Sequence, residues 1–128
     1  MARLLVVDDD VDVTYALEVL LTLHGHRVRV ANDGEVALRL LKEELADAVV
    51  MDVDMPWLDG PRAAYRMFML DCGMEMVPVI LVSGTPRLDQ VAARVGTPYF
   101  LPKPCEPDRL LAMVDLALAE RRAPEPRF

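Results

Sequence analysis

Three consecutive carboxylates, Asp8, Asp9 and Asp10, follow the apolar run Leu4 to Val7, and another, Asp52, follows the run Ala48 to Met51. If those runs are neighbouring strands, the carboxylates meet at one rim. Packed carboxylates repel unless a cation compensates them, and a hard, oxygen-preferring ion such as Mg²⁺ uses a few carboxylates while keeping several waters. One of the three, most simply Asp10, can cap the helix that follows; one cap does not need three aspartates. Ser83 closes the run Val79-Ile80-Leu81-Val82, and Lys103 follows Phe100-Leu101-Pro102. Taken singly, Ser83 reads as a turn residue before Gly84 and Lys103 as a solvated loop charge. Together with a carboxylate nucleophile and a metal, a hydroxyl donor and an ammonium are what phosphoryl transfer requires. Lys42 and Lys103 are the only lysines among 14 Lys and Arg residues, so an ammonium at a strand end is less readily surface filler.

These positions require strands that end on a common side. Leu4 to Val7, Ala48 to Met51, Val77 to Val82 and Tyr99 to Leu101 are short continuous apolar runs, as expected of strands buried on both faces. Arg27 to Val30 alternates charged and apolar residues, as an edge strand does. Helical spacing recurs between them: Val13, Ala16, Leu17 and Leu20, with Asp10 or Asp12 as cap and Gly25 as stop; then Val36, Ala37, Leu40 and Leu41 after Asn32-Asp33-Gly34. Pro61 opens a third stretch through Ala64, Met67 and Phe68, Leu88 to Val95 is a weak fourth, and Pro107 begins a fifth carrying Leu110, Leu111, Val114 and Leu118. Alternation of strand and helix, five times over, predicts an α/β fold with a parallel sheet and ligands at the carboxyl ends of the strands.

At 128 residues and 53% hydrophobic, the chain can bury one core and is short for two domains. Residues 1–122 are expected to form the domain and 123–128, with two prolines, a frayed polar tail. The net charge of −7 argues against a nucleic-acid surface. Cys72 and Cys105 are too few for a disulfide framework and form no CxxC, which suits a reducing cytoplasm. No signal peptide or membrane span is expected, because the first apolar run meets Asp8 almost at once.

The segments Leu4-Leu5-Val6-Val7-Asp8-Asp9-Asp10, Val49-Val50-Met51-Asp52 through Gly60, Val82-Ser83-Gly84 and Phe100-Leu101-Pro102-Lys103-Pro104 closely resemble the receiver domain of two-component response regulators. The resemblance runs from about Arg3 to Arg121, and the four motifs in this order are far more specific than any one alone. It implies a flavodoxin-like (βα)5 three-layer sandwich with a five-stranded sheet of order 2-1-3-4-5, an order the general rule for such folds already contains. It implies Asp52 as phosphoacceptor, Asp9 as a direct Mg²⁺ ligand, Asp8 as an outer one and the Asp54 carbonyl as a third protein ligand, with Mn²⁺ an admissible substitute. Ser83 and Phe100 would be the switch pair, Lys103 the partner of the phosphoryl group, Lys103-Pro104 a cis peptide, and Gly60 a tight turn. The implied partners are a sensor histidine kinase or histidine phosphotransfer protein, and a downstream protein on the face of the fourth helix, fifth strand and last helix. No nucleic acid or membrane is implied, and a homodimer stays open. The implied activity is that of a signalling domain and not an enzyme, with only self-phosphorylation and autodephosphorylation.

Some positions depart from the family's habit. Asp54 and Thr85 sit where the lifetime of the phosphorylated state is tuned; Trp57 stands where glycine is frequent and reads as a loop cover; Cys105 replaces an aromatic and reads as a small core residue. The stretch from Ser83 to Lys103 is slightly short, and Met67, Met69, Met74 and Met76 read as core and loop filler. Asp52-Val53-Asp54 resembles the DxD of haloacid-dehalogenase-type phosphatases, but that motif follows a first strand and here it follows a third. An EF-hand reading of Asp8, Asp10 and Asp12 fails at Val13, where glycine is needed, and at Val19, where glutamate is needed. A non-phosphorylated interaction module would lack an acceptor, a metal acid or the lysine, and none is missing. The chain reads as a stand-alone regulator, the alternative being the receiver fragment of a longer, for example DNA-binding, one.

Overall fold

The computed structural model describes residues 1–53 and 76–125. The helix expected from Pro61, together with Asp54, Trp57, Gly60, Met67, Met69, Cys72 and Met74, lies outside them. Five strands, β1 (Arg3–Val7), β2 (Arg27–Ala31), β3 (Ala48–Met51), β4 (Val79–Ser83) and β5 (Tyr99–Pro102), form one sheet of order β2-β1-β3-β4-β5. Every pairing is parallel. Four helices are described: α1 (Val11–Leu23), α2 (Gly34–Glu43), α3 (Leu88–Val95) and α4 (Pro107–Glu120).

The pleat divides the apolar runs between two cores. Leu5, Val7, Val49, Met51, Val79 and Leu81 face α2 and α3, while Leu4, Val6, Ala48, Val50, Ile80 and Val82 face α1 and α4. That alternation explains why the strands read as continuous apolar runs: both faces are covered. The edge strand β2 is less buried and carries Arg27 and Arg29.

Three expectations change in detail. The helix over Leu88–Val95, weak by pattern, forms with those bounds and buries Leu88, Ala92 and Val95. In α1 the inward residues are Thr14 and Leu21, with Leu17 and Leu20 packed at the margin; Ala16 faces out. The helix is apolar on several sides, with Val11, Tyr15, Val19 and Leu23 exposed, so spacing alone does not fix its rotation. Met76, read as core or loop filler, is exposed, which leaves the loop role.

The segment after α4 is not frayed as far as Glu125. Pro124 is buried, and the Glu125 N–H donates to the Gly96 carbonyl at 3.1 Å. Gly96 ends α3 with φ 81°, a left-handed conformation that favours glycine, and a Cβ there would collide with the Glu125 backbone. Gly96→Ala is therefore expected to destabilise the fold by the left-handed backbone cost of about 1–2 kcal/mol, with a packing cost on top. Urea unfolding of a double-mutant cycle checks this. Removing the chain from Ala123 onward should abolish the packing part, and an unchanged penalty in the shortened chain would show that the strap exerts no hold on Gly96.

Candidate functional site

Strands β1 and β3 are neighbours with Val7 opposite Met51, so the next residue on each, Asp8 and Asp52, leaves the sheet side by side. The ladder runs one step further: the Asp52 N–H donates to the Val7 carbonyl at 2.9 Å and the Asp8 N–H to the Ala31 carbonyl at 3.2 Å. Both carboxylates are buried, Asp8 to 3% and Asp52 to 8% exposure, while Asp9 is exposed. One carboxylate oxygen from each of Asp8, Asp9 and Asp52 lies within 4.8 Å of the other two. An all-oxygen, like-charged donor set at that spacing fits a hard divalent cation such as the one implied for the family. The Asp54 carbonyl, expected as a further ligand, lies outside the described residues.

Asp10 takes the capping role instead. Its Oδ1 accepts from the N–H groups of Asp12 at 2.9 Å and Val13 at 3.4 Å. Its own N–H donates to Asp8 Oδ1 at 3.0 Å, which orients that carboxylate.

Lys103 reaches the cluster from beyond β5. Its Nζ lies 2.6 Å from Asp8 Oδ2 and 3.6 Å from Asp52 Oδ2. Burial by itself would lower the ammonium's pKa, but the hydrogen bond to Asp8 and the charges of Asp52 and Asp8 outweigh it and hold the group above the ordinary lysine value. The Asp52 Oδ1 accepts the Val53 N–H at 2.8 Å. Ser83, fully buried at the end of β4, accepts the Thr85 N–H on Oγ at 3.3 Å, and its carbonyl accepts the Lys103 N–H at 2.9 Å. The Lys103-Pro104 bond is cis, as expected. Phe100 is half-buried on β5 and packs on the core beneath α2 and α3; Cys105 is half-buried against the other core. Asp8, Asp9, Asp52 and Lys103 thus meet at one rim, with Ser83 on the adjoining strand end.

Two residues bearing on this rim escaped the sequence reading. The Asn32 Nδ2 donates to the Asp8 carbonyl at 3.0 Å and to Thr14 Oγ1 at 3.3 Å. The available signal was an Asn at the carboxyl end of the strand next to the acidic one, and it read as part of a turn.

A doubly wound parallel sheet with buried carboxylates and an ammonium at its carboxyl-terminal rim defines a class of site suited to holding a cation beside an anion. The family model of the response regulator receiver domain matches residues 4–115, and the chain belongs to that family. It is 36% identical to protein PilH of Pseudomonas aeruginosa over 121 residues, covering 93% of this chain and 99% of PilH. It is 39% identical to the transcriptional regulatory protein PrrA of Mycobacterium tuberculosis, covering 93% of this chain and 51% of that protein, so it spans about half of PrrA. A putative response regulator from Chloroflexus aurantiacus superimposes with a TM-score of 0.85 at 32% identity, over 92% of this chain and 98% of that one. The flavodoxin-like architecture and strand order are those expected. No helix among the described residues is long and apolar enough to cross a membrane.

Among the described residues, three carboxylates gather around the Lys103 ammonium and repel one another. Asp52→Asn is expected to raise stability in metal-free buffer by on the order of 1 kcal/mol, the scale of a partly screened like-charge contact. Urea unfolding measures it, and a variant less stable than the unaltered chain would mean that the contacts made by the Asp52 carboxylate outweigh the repulsion.

Proposed function

We propose that the chain is a phosphoacceptor switch of two-component signalling, with Asp52 as the nucleophile. The observation that carries this reading is the convergence of Asp8, Asp9 and Asp52 with Lys103 Nζ at 2.6 Å from Asp8 and 3.6 Å from Asp52. A phosphohistidine of a sensor kinase or phosphotransfer protein, or a small phosphodonor, presents its phosphoryl group in line with an Asp52 oxygen. The donor's bond to phosphorus breaks as the Asp52 O–P bond forms: the N–P bond of the phosphohistidine, whose imidazole leaves as the neutral ring, or the leaving-group bond of the small phosphodonor, which departs as its own anion. Asp8, Asp9 and Asp52 would hold Mg²⁺, or Mn²⁺, which would supply positive charge to offset that on the transferred oxygens. Lys103, whose Nζ lies within reach of both Asp8 and Asp52, pairs with the phosphoryl group.

Ser83 then donates its hydroxyl to a phosphoryl oxygen, drawing in the loop after β4, and Phe100 changes rotamer in the space vacated. Output is a changed affinity of the α3, β5 and α4 face for a downstream protein or a second copy. Attack of water on the acyl phosphate releases inorganic phosphate and restores the Asp52 carboxylate, so the chain acts on itself and not as an enzyme on a separate substrate. The working compartment is the cytoplasm. The half-length match to PrrA supports a second reading, a receiver segment of a longer regulator with the same chemistry.

Intact-mass measurement with a small phosphodonor tests the reading. A single phosphoryl adduct is expected with Mg²⁺, absent after chelation and absent in Asp52→Asn. An adduct that persists in Asp52→Asn, or no adduct from either phosphodonor or phosphohistidine donors, would remove Asp52 from the role.

A further inference from the structure

The loop that carries Asp8, Asp9 and Asp10 leaves the sheet at the end of β1 and enters α1 at Val11. Its carboxylates repel one another and, with no cation, would drive the loop outward. Asp8's carbonyl stands just past the end of the strand. Asn32, the first residue beyond β2, supplies its partner: one side-chain N–H donates to the Asp8 carbonyl at 3.0 Å and the other to Thr14 Oγ1 at 3.3 Å. Thr14 is 2% exposed, and its hydroxyl donates onward to the Val11 carbonyl at 3.0 Å. The three bonds run in one direction, each hydrogen used once, and link the tip of β2 to both ends of the acidic loop.

We propose that Asn32 and Thr14 are positioning residues that hold the Asp8–Asp10 loop in its cation-binding shape before the cation arrives. The role rests on the metal-dependent phosphoacceptor reading and deepens it. An amide is needed at 32 because the site must donate twice: a carboxylate offers no donor and an aliphatic residue none either. Thr14 must be both acceptor and donor, which accounts for a hydroxyl residue on the side of α1 that also buries Leu21. A loop already shaped does not have to be ordered against its own repulsion when the cation binds, and outer partners of metal-binding residues commonly change affinity by about 10–100-fold when removed.

The experiment compares Asn32→Ala, Thr14→Val and Thr14→Ser with the unaltered chain. Mg²⁺ affinity is measured by calorimetry, amide hydrogen exchange in the metal-free state, and phosphoryl adduct formation as a function of Mg²⁺. Asn32→Ala and Thr14→Val should weaken Mg²⁺ binding by roughly tenfold or more, with faster exchange confined to residues 8–11. Their adduct formation should return to the unaltered rate at saturating Mg²⁺, and Thr14→Ser should restore both readouts. Unchanged Mg²⁺ affinity in both variants overturns the proposal. So does a loss that saturating Mg²⁺ cannot repair and that accompanies faster exchange throughout the sheet, because that marks a folding defect. If the unaltered chain takes up no Mg²⁺, the phosphoacceptor reading itself fails, and faster loop exchange in Asn32→Ala would then leave the pair as loop anchors with no metal role.

Discussion

Three carboxylates with oxygens within 4.8 Å of one another repel, and the surrounding structure is organised to bear that repulsion. Two of them are buried, where screening by water is weak and the repulsion correspondingly strong. The sheet carries the first share: parallel pairing of β1 with both β2 and β3 continues past the strand ends and pins the backbones of Asp8 and Asp52. Lys103 carries the second, bringing its ammonium across from beyond β5. Among the described residues, the carboxylate cluster is an all-oxygen donor set that fits a hard divalent ion.

Such a balance needs a stiff frame. β1, β3 and β4 are buried along nearly their whole length and split their side chains between two cores, so their carboxyl ends cannot shift independently. The rim itself is made of short polar contacts, many to backbone groups. The side that bears Ser83, Phe100 and Lys103 is framed by α3 and α4, and the segment after α4 crosses back to close against the end of α3 at Gly96. Tyr99 adds a further tie, its hydroxyl donating to Glu120 at 3.0 Å. The side formed by α3, β5 and α4 is therefore tied to the last described residues.

Most of the architecture was legible before any coordinates. Continuous apolar runs marked β1, β3, β4 and β5, because a strand covered on both faces leaves no room for polar residues; Arg27 to Val30 marked the edge by its alternation. Asp8, Asp9, Asp52, Ser83 and Lys103 stood out because each polar residue came where an apolar run stopped. Asp10 was separable as a cap by its place before the helix. All these signals are local, set by residues within one element or at its end. The Leu88–Val95 helix was underestimated because eight residues hold too few periods to stand out, and packing of Leu88, Ala92 and Val95 supplies what pattern could not.

What only the tertiary structure decided joins residues far apart in the chain. Lys103 chooses Asp8 as its closer partner across 95 positions, Asn32 reaches the Asp8 carbonyl across 24, and Glu125 settles on Gly96. The rotation of α1, which turns Thr14 inward and Ala16 outward, belongs with them, since a helix apolar on several sides carries no internal record of its partner. By itself the sequence determined the elements, their order and the residue types at the rim, because covalent order and side-chain periodicity act along the chain. The pairing of carboxylates, amide and ammonium across the rim came only with the sheet, because strand register and helix rotation set distances that spacing along the chain does not encode.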